Sequence, residues 1–342
     1  MRAKIKIGIN GFGRIGRCIV RAVFEYKELS DKFEITQINS PSANEMLTYL
    51  LKYDSTHGIF YQNVYTENED FIKIGEQSIK ITHEKKLENL NWQNVDVVLE
   101  CSGIFTKLEE LECHIVNGAK KVVLSSPAKN ESVKTFVMGV NNSEMTQKDK
   151  IVSIGSCTTN CLAPIAKVIN DNFGIKNGFV TTVHAYTNDQ NILDNSHKKD
   201  FRRARTACTS IIPTSTGAAK TISLVIPELK DKLFGFALRV PVKNVSVIDC
   251  VFNLEKGTSS EEVNSVIKNC AHNNMVKILG YTTEKLVSID FNHSTFSSIL
   301  DTEYTQVIEG KTLKILSWYD NEWAFSIRML DMAENMIKID EL

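Results

Sequence analysis

The 342-residue sequence lacks the features that mark several large classes of protein. Its formal net charge is −1, so no excess of one sign attracts nucleic acid or an anionic membrane, and we expect neither as a partner. No stretch approaches the roughly 18 consecutive apolar residues that a membrane-spanning helix needs. Repeats and low-complexity tracts are also missing. What is there is the composition of an ordinary globular protein, with 42% hydrophobic and 24% charged residues.

The eight cysteines are few for a chain of this length, and their spacing does not suit zinc. Cys157 and Cys161 form the only close pair, and no CxxC motif or Cys/His cluster occurs. We therefore predict no metal site and no disulfide framework. The opening MRAKIKIG leads directly into a predicted strand, without the apolar core of a signal peptide. These features predict a cytoplasmic protein.

A glycine-rich motif, Gly11-Phe-Gly13-Arg-Ile-Gly16, follows an alternating strand pattern at 4–10 and precedes an apolar-periodic helix. In that context Gly11 allows the turn, Gly13 lets backbone approach a pyrophosphate, and Gly16 allows close packing of helix on strand. The helix N-terminus then offers an anion site. The motif predicts a Rossmann-type dinucleotide-binding domain, and the alternative is a glycine-rich turn that binds nothing.

The second predicted strand, 33–39, departs from the usual dinucleotide-binding pattern, because Ser40 follows it instead of an acidic residue. Without a carboxylate, the 2′-phosphate of NADP is no longer repelled. Alternatively, Asn39 and Ser40 hydrogen-bond the ribose of NAD themselves. Two later apolar runs, at 95–103 and 120–127, contain Gly103 and Ser125 at their ends, which we expect near the cofactor.

The motif SIGSCTTNC over 153–161 lies between a predicted strand and an apolar-periodic stretch. This order places Cys157 at or near a helix N-terminus, where the helix dipole and free N–H groups favour a thiolate. A thiolate is the nucleophilic form of cysteine, and the same N–H groups can bind an oxyanion. The alternative is an ordinary buried cysteine.

Alternating runs in the C-terminal half predict a mainly antiparallel sheet, with strands near 178–186, 236–241, 245–252, 286–291 and 313–318, and a final helix over 324–337. His184 in the first strand could form a thiolate–imidazolium pair with the cysteine. Arg239, within a strand, requires a carboxylate or an anionic ligand as its partner. Thr216-Gly217 before a predicted helix suits phosphate. We predict an extended loop over 187–205, whose arginine run is a solvated surface, an anion site or a subunit contact.

These motifs together resemble those of phosphorylating glyceraldehyde-3-phosphate dehydrogenases. The matching segments are INGFGRIGR, SCTTNCLAP, HAYTNDQ, RRAR, IIPTSTGAAK, RVPV and SWYDNEW, and they are distributed along essentially the whole chain. The resemblance implies an α/β fold: an NAD-binding Rossmann domain over 1–155, against which a C-terminal helix over 322–342 packs, and an α+β catalytic domain over 156–321. The catalytic domain would have a mixed, mainly antiparallel sheet, and the protein would be a homotetramer.

The resemblance also implies a glycolytic reaction. Cys157 would attack the aldehyde of glyceraldehyde 3-phosphate to give a thiohemiacetal, and His184 would activate the thiol and stabilise the hemiacetal oxygen. Hydride transfer to the nicotinamide would leave a thioester, which inorganic phosphate would cleave to 1,3-bisphosphoglycerate.

By the same resemblance, Thr187 and Arg239 would bind the substrate phosphate. Ser156, Thr216 and Gly217 would bind the attacking phosphate, and Thr158 would lie near the attacked carbon. The cofactor-binding positions would be Gly11, Gly13, Arg14, Ile15, Gly16, Ser40, Lys85, Gly103, Ser125 and Asn321.

The chain departs from the family pattern in ways that leave alternatives open. NAD-preferring members commonly have Leu-Pro where this chain has Asn195-Ser196, and NADP-accepting plastid members have Ser there. The serine at position 196, together with Ser40, makes NADP an alternative cofactor. The usual SNASCTTN and NEWGYS segments are changed here by Ile154, Gly155, Ala324 and Phe325. Rival functions are an erythrose-4-phosphate dehydrogenase, a semialdehyde dehydrogenase that would need no phosphate sites, and a non-catalytic binding protein.

Overall fold

The computed structural model describes residues 3–198 and 200–341. They form two compact units. One unit contains the described residues up to Phe136, Asn142–Gly155 and the described residues from Ser326 onwards, and the other contains Val137–Asn141 and Ser156–Phe325. Within the described ranges, none of the helices combines the length and the apolar character needed to cross a membrane.

The first unit is built on one large sheet with helices. Its strands are β1 (Ile5–Asn10), β2 (Phe33–Asn39), β3 (Tyr53–Asp54), β4 (Gly58–Ile59), β5 (Val64–Thr66), β6 (Phe71–Ile74), β7 (Gln77–Thr82), β8 (Val97–Glu100), β9 (Lys121–Leu124) and β10 (Ile151–Ser153). Its helices are α1 (Arg14–Glu25), α2 (Lys27–Ser30), α3 (Asn44–Lys52) and α4 (Leu108–Val116).

The eight-stranded sheet of this unit has the order β10-β9-β8-β1-β2-β7-β6-β5. The strands from β10 to β7 are parallel, whereas β6 and β5 continue the sheet in antiparallel fashion. Every residue of β8 and β9 is buried, as expected for parallel strands covered on both faces. Because β2 and β8 flank β1 on opposite sides, the carboxyl end of β1 is the point where such sheets bind ligands.

The second unit contains helices α5 (Cys157–Phe173), α6 (Ala218–Val225) and α7 (Ser260–His272). Its strands are β11 (Ile175–Ala185), β12 (Ile212–Ser215), β13 (Leu233–Val240), β14 (Ser246–Leu254), β15 (Leu279–Thr282), β16 (Ser298–Ile308) and β17 (Thr312–Tyr319). The final helix, α8 (Trp323–Asp340), begins in this unit, and its residues from Ser326 onwards belong to the first.

The seven strands of the second unit have the order β12-β13-β11-β14-β17-β16-β15. Only the pairs β11–β13 and β15–β16 are parallel, and the other four are antiparallel. Apolar residues of α5, α6 and α7 form one core with the inner face of this sheet. The predicted α/β class, with a Rossmann-type unit and a mixed, mainly antiparallel sheet, is confirmed.

One predicted strand is wrong. Residues 286–291 were expected to alternate within a sheet, but Ser288–Phe291 is a short 3₁₀-helix. The Asp290 carboxylate accepts a hydrogen bond from the backbone N–H of Val287, and the backbone N–H of Asp290 donates to the Val287 carbonyl. This local side-chain bond competes with strand pairing, as Asp commonly does.

Candidate active site

Cys157 is the first residue of α5, and Ser156 is the N-cap. The extended Ser156 places its Oγ 3.1 Å from the backbone N of Thr159, whose N–H it accepts. Gly155, just before, has φ +70, a conformation that favours glycine over the alanine usual in this motif. The predicted position of Cys157 at a helix N-terminus is therefore confirmed.

His184 reaches the cysteine from the inner face of β11. Val180, Thr182 and His184 alternate inward along this strand, towards the side covered by the helices. The Sγ atom of Cys157 lies 3.4 Å from Nε2 of His184. The structure therefore brings the predicted nucleophile and base together.

Two groups compete for the other ring nitrogen of His184. Arg239 lies opposite His184 in the parallel register of β11 and β13, and its Nη1 is 2.6 Å from Nδ1. The Ala185 carbonyl oxygen is 2.7 Å from the same nitrogen. If Nδ1 carries the hydrogen, it donates to Ala185 and Nε2 can accept the thiol proton. If Nδ1 is bare, it accepts from Arg239 and Nε2–H can donate to sulfur or to an oxyanion. The two tautomers correspond to a base and to an oxyanion donor.

Burial disfavours the isolated charges of this pair. Although Cys157 is only partly buried, desolvation of its thiol raises the thiol pKa above the usual range, against the opposing effects of the Arg239 charge and hydrogen bonds from Thr158. Burial first, and the Arg239 charge second, lower the pKa of His184 to about 3. An isolated thiolate or an isolated imidazolium is therefore disfavoured at this position. Transfer of the thiol proton to Nε2 creates two opposite charges that compensate each other.

Tyr319 is part of the site, although nothing in the sequence indicated its role beyond its place in the SWYDNEW motif. Its hydroxyl is 2.9 Å from Thr158 Oγ1 and 2.8 Å from Thr182 Oγ1. Its ring packs edge-on against the His184 ring, with 5.8 Å between centroids. Tyr319 therefore fixes the Thr158 hydroxyl beside the cysteine and supports one side of the histidine.

Arg239 was expected to pair with a carboxylate or an anionic ligand. Over residues 3–198 and 200–341 it forms no ion pair with a carboxylate; Nη1 also donates to the Ala185 carbonyl over 2.9 Å, and the buried Nε lacks a partner. Thr187 caps a turn in which its N–H and hydroxyl both donate to Gln190 Oε1. An unpaired guanidinium nitrogen leaves Arg239 able to bind an anion.

Thr216 and Gly217 precede α6, as predicted. The hydroxyl of Thr216 accepts from the N–H of Ala218, and a Cβ added to Gly217 would meet no atom within 4 Å. Arg203, in the arginine run, was not singled out from the sequence. It donates to Thr214 Oγ1 over 2.7 Å and pairs with Asp189, and its charge lowers the pKa of Arg239, although burial is the larger cause. The structure thus adds a second arginine near the first.

The three glycines of the motif at 11–16 differ as a dinucleotide-binding turn requires. A Cβ at Gly11, which has φ +92, would lie 2.5 Å from backbone atoms of Ser102, and one at Gly16 would lie 2.5 Å from the Gly11 carbonyl oxygen. A Cβ at Gly13 would meet nothing within 4 Å. Gly11 and Gly16 are needed for packing, whereas Gly13 leaves open space at the N-terminus of α1. This arrangement suits a dinucleotide pyrophosphate.

Of the other predicted cofactor residues, Asn321 follows β17 in the second unit, and the rest lie at the carboxyl edge of the first unit's sheet or beside the glycine turn. The Arg14 guanidinium pairs with Asp54, and burial of Asp54 is outweighed by hydrogen bonds from Arg14 and His57, which lower its pKa. Ile15, in the first turn of α1, has its carbonyl oxygen 3.5 Å from Ser326 Oγ. The remaining positions follow strands: Ser40 after β2, the exposed Lys85 after β7, Gly103 after β8 and Ser125 after β9.

A buried carboxylate below the glycine turn was also missed. Glu100, at the end of β8, accepts hydrogen bonds from the Asn10 amide and from the N–H and hydroxyl of Ser102. The Trp92 indole donates to Nδ1 of His114, so that His114 donates from Nε2 to Glu100. Four donors satisfy one carboxylate, which holds the carboxyl ends of β1 and β8 in place.

Cys161, four residues after Cys157, is fully buried. Its thiol donates weakly to Ser298 Oγ and to the Ser317 carbonyl, and burial raises its pKa to about 12. The two cysteines of the motif therefore have different roles. Cys157 is in contact with a base, whereas Cys161 is part of the core.

Comparisons with known proteins agree with this geometry. Two family models match: "Glyceraldehyde 3-phosphate dehydrogenase, NAD binding domain" over residues 5–108, and "Glyceraldehyde 3-phosphate dehydrogenase, C-terminal domain" over residues 156–321. Among curated proteins, a glyceraldehyde-3-phosphate dehydrogenase of Geobacillus stearothermophilus is 50% identical, covering 96% of this chain and 97% of its own. That of Cereibacter sphaeroides is 48% identical, covering 97% and 98%. The chain belongs to the glyceraldehyde-3-phosphate dehydrogenase family.

Proposed function

We propose that this chain catalyses the phosphate-dependent oxidation of D-glyceraldehyde 3-phosphate to 1,3-bisphosphoglycerate, with NAD as the cofactor. The observation that carries the proposal is the 3.4 Å contact between Cys157 Sγ and His184 Nε2, with Arg239 beside the other ring nitrogen. These are a nucleophile, a base and a cation, which covalent oxidation of a phosphorylated aldehyde requires.

In this reaction the Cys157 sulfur bonds to the aldehyde carbon while its proton passes to His184 Nε2. The protonated ring then donates to the oxygen of the hemiacetal. NAD, when bound, supplies the acceptor for the hydride. Loss of that hydride and of the hydroxyl proton, for which His184 is the base, leaves a thioester on Cys157. Attack by inorganic phosphate breaks the carbon–sulfur bond and restores the thiol.

Two anion sites follow from the residues around this pair. The substrate phosphate is assigned to Arg239 and Thr187, since Arg239 retains an unpartnered buried Nε. The attacking phosphate is assigned to the hydroxyl-rich helix termini, with Ser156 at α5 and Thr216 and Gly217 at α6, while Thr158 is assigned a place near the attacked carbon.

The test is an initial-rate assay that follows reduced dinucleotide with glyceraldehyde 3-phosphate, in the presence and absence of inorganic phosphate. We expect sustained turnover only with phosphate, because the thioester otherwise stays on the enzyme. Sustained turnover without phosphate would overturn the acyl-phosphate product. Erythrose 4-phosphate in the same assay should be the poorer substrate, and a higher kcat/KM with it would reassign the substrate.

The dual-cofactor alternative makes NADP a second substrate of the same enzyme. It is supported by the absence of a carboxylate at Ser40, whose carbonyl oxygen lies 2.8 Å from Nδ1 of the His83 ring. We expect measurable kcat/KM with NADP, and Ser40→Asp should lower it while leaving kcat/KM with NAD nearly unchanged. No detectable NADP turnover at saturating substrate would exclude the alternative.

The chain is also proposed to form a homotetramer in the cytoplasm. The face of the seven-stranded sheet opposite the helices presents Phe179 and Phe234 side by side in register, 69% and 60% exposed, with Phe236 next to them. Apolar patches of this kind commonly mark subunit interfaces. The eight free thiols suit a reducing compartment. Sedimentation equilibrium should give four times the chain mass, and Phe234→Lys should lower it.

A further inference from the structure

Ser246 connects two parts of the site, although no motif drew attention to it. It is the first residue of β14, is 1% exposed, and lies opposite Tyr319 of β17. Its Oγ accepts the backbone N–H of Ala185 over 3.0 Å and donates to Oδ1 of Asn321 over 2.8 Å. A serine hydroxyl has only one hydrogen. Once it accepts from Ala185, that hydrogen is directed at Asn321.

The first consequence concerns the orientation of the Asn321 amide. An amide has a carbonyl oxygen on one side and an NH₂ group on the other. Because Ser246 donates to Oδ1, the oxygen of Asn321 is turned towards the serine and the two N–H donors point the other way. This is the orientation that could donate to the carbonyl oxygen of a nicotinamide carboxamide. Without the serine hydroxyl, the amide could rotate and present its oxygen there.

The second consequence concerns His184. The Ala185 carbonyl oxygen lies 2.7 Å from His184 Nδ1 and accepts from Arg239 over 2.9 Å. The N–H of the same residue is held by Ser246. The backbone of Ala185 is therefore fixed at both polar groups, its N–H by the serine and its carbonyl oxygen by His184 and Arg239.

The backbone before Ser246 is strained. Val245 has φ +68, which is a genuine outlier for a β-branched residue. It is held there by burial in a cluster with Phe291 and Ile299. Asn244, one residue earlier, donates to Asp320, the neighbour of Asn321, over 2.9 Å. Such strain persists only where surrounding contacts fix it, and it is typical of functional sites.

We propose that Ser246 is a positioning residue, whose single hydroxyl sets the amide of Asn321 for the nicotinamide carboxamide and at the same time anchors the backbone beside His184. The inference deepens the proposed function and depends on its assignment of NAD. The Ser246 hydroxyl contacts Ala185 and Asn321, so it acts through these residues.

The test compares Ser246→Thr with Ser246→Val, two variants of equal size that differ by the hydroxyl. Calorimetric titration gives their dissociation constants for NAD and for ADP-ribose, which lacks the nicotinamide. We expect Ser246→Val to bind NAD about 10-fold more weakly than Ser246→Thr, the loss typical of one buried hydrogen bond. ADP-ribose should bind both equally. Equal NAD affinities would overturn the proposal, and so would an equal loss for both ligands.

A double-mutant cycle shows whether Ser246 acts through Asn321. In an Asn321→Ala background, the ratio of the NAD dissociation constants of Ser246→Val and Ser246→Thr should fall to about 1, because the hydroxyl no longer has an amide to orient. A ratio that stays near 10-fold would overturn the coupling. If the β-branched variants do not fold, Ser246→Ala removes the hydroxyl without added volume and should show the same selective loss for NAD. Ser298→Ala, another buried serine, is the control for a general loss of stability and should keep the NAD affinity.

These binding measurements do not require turnover. A chain that binds NAD with the expected Ser246 dependence but fails the phosphate-dependent assay would contradict the proposed reaction and leave the role of Ser246 intact. Normal activity in the phosphate-dependent assay without any effect of Ser246 on NAD affinity would overturn the role of Ser246 and leave the proposed reaction intact.

Discussion

Cys157 Sγ and His184 Nε2 meet at 3.4 Å, from the first turn of a helix and the inner face of a strand, 27 residues apart in sequence. Cys157→Ser should abolish aldehyde oxidation while leaving NAD affinity unchanged, because a serine hydroxyl beside a neutral imidazole is a far weaker nucleophile than a thiol. Cys161→Ala, in the same helix, should retain the activity. Oxidation at the wild-type rate by the serine variant would contradict the covalent mechanism.

His184 should make the folded protein sensitive to acid. Its pKa is lowered from 6.5 to about 3 by burial and then by Arg239, so between these values the unfolded chain binds a proton that the folded chain does not. Stability therefore falls as pH falls below 6.5. Between about pH 7.5 and about pH 5 this one group should remove about 2 kcal/mol.

Urea unfolding of the wild type and of His184→Asn at both pH values measures this contribution. The variant should lose about 2 kcal/mol less than the wild type on acidification. Equal losses in the two proteins would mean that His184 can be protonated in the folded state.

Gly13 and Gly11 should respond differently to alanine. A Cβ at Gly13 meets no protein atom, so Gly13→Ala should leave the melting temperature nearly unchanged and weaken NAD binding by intruding on the pyrophosphate space. Gly11→Ala forces a Cβ against backbone atoms of Ser102 at φ +92 and should destabilise the fold itself. Thermal melts and NAD titrations of both variants test this difference. Wild-type NAD affinity in Gly13→Ala would contradict the assignment of Gly13 to the pyrophosphate site.

Glu100→Gln should be strongly destabilising although it changes few atoms. The carboxylate accepts from four donors, and an amide would turn an NH₂ group towards some of them. Because the site is fully buried, we expect a loss of about 3 kcal/mol in the free energy of unfolding. Glu112→Gln, on an exposed position of α4, is the matched control and should change stability by less than about 0.5 kcal/mol. If Glu100→Gln lost no more stability than Glu112→Gln, the four hydrogen bonds to the Glu100 carboxylate would not be important for the fold.

Much of the fold could be predicted, because its signals are local. The strand Phe33–Asn39 has the bounds predicted from the sequence. The cysteine at the helix N-terminus followed from a strand, a polar turn and an apolar-periodic stretch in that order. The prediction of a strand over 286–291 was wrong because the Asp290 carboxylate accepts a hydrogen bond from a backbone N–H three residues earlier. Hydrophobic periodicity does not reveal such a bond.

The parts of the site that could not be predicted depend on tertiary contacts. Three side chains make hydrogen bonds to residues more than 60 positions away in sequence: Tyr319, Glu100 and Ser246. The raised pKa of the Cys157 thiol also depends on burial, because desolvation outweighs the Arg239 charge and the hydrogen bonds that oppose it. A local sequence pattern carries no information on these long-range contacts or on the burial of the Cys157 thiol.

The burial of Cys161 has a consequence for oxidative damage. An oxidant that converts Cys157 to a sulfenic acid would leave it one helical turn from a second sulfur, and a nearby thiol can reduce a sulfenic acid by forming a disulfide with it. That rescue needs a thiolate. Burial raises the pKa of Cys161 to about 12, so its thiolate is essentially unpopulated at neutral pH. Recovery of an oxidised Cys157 would therefore depend on small thiols or reductases that reach it from solution.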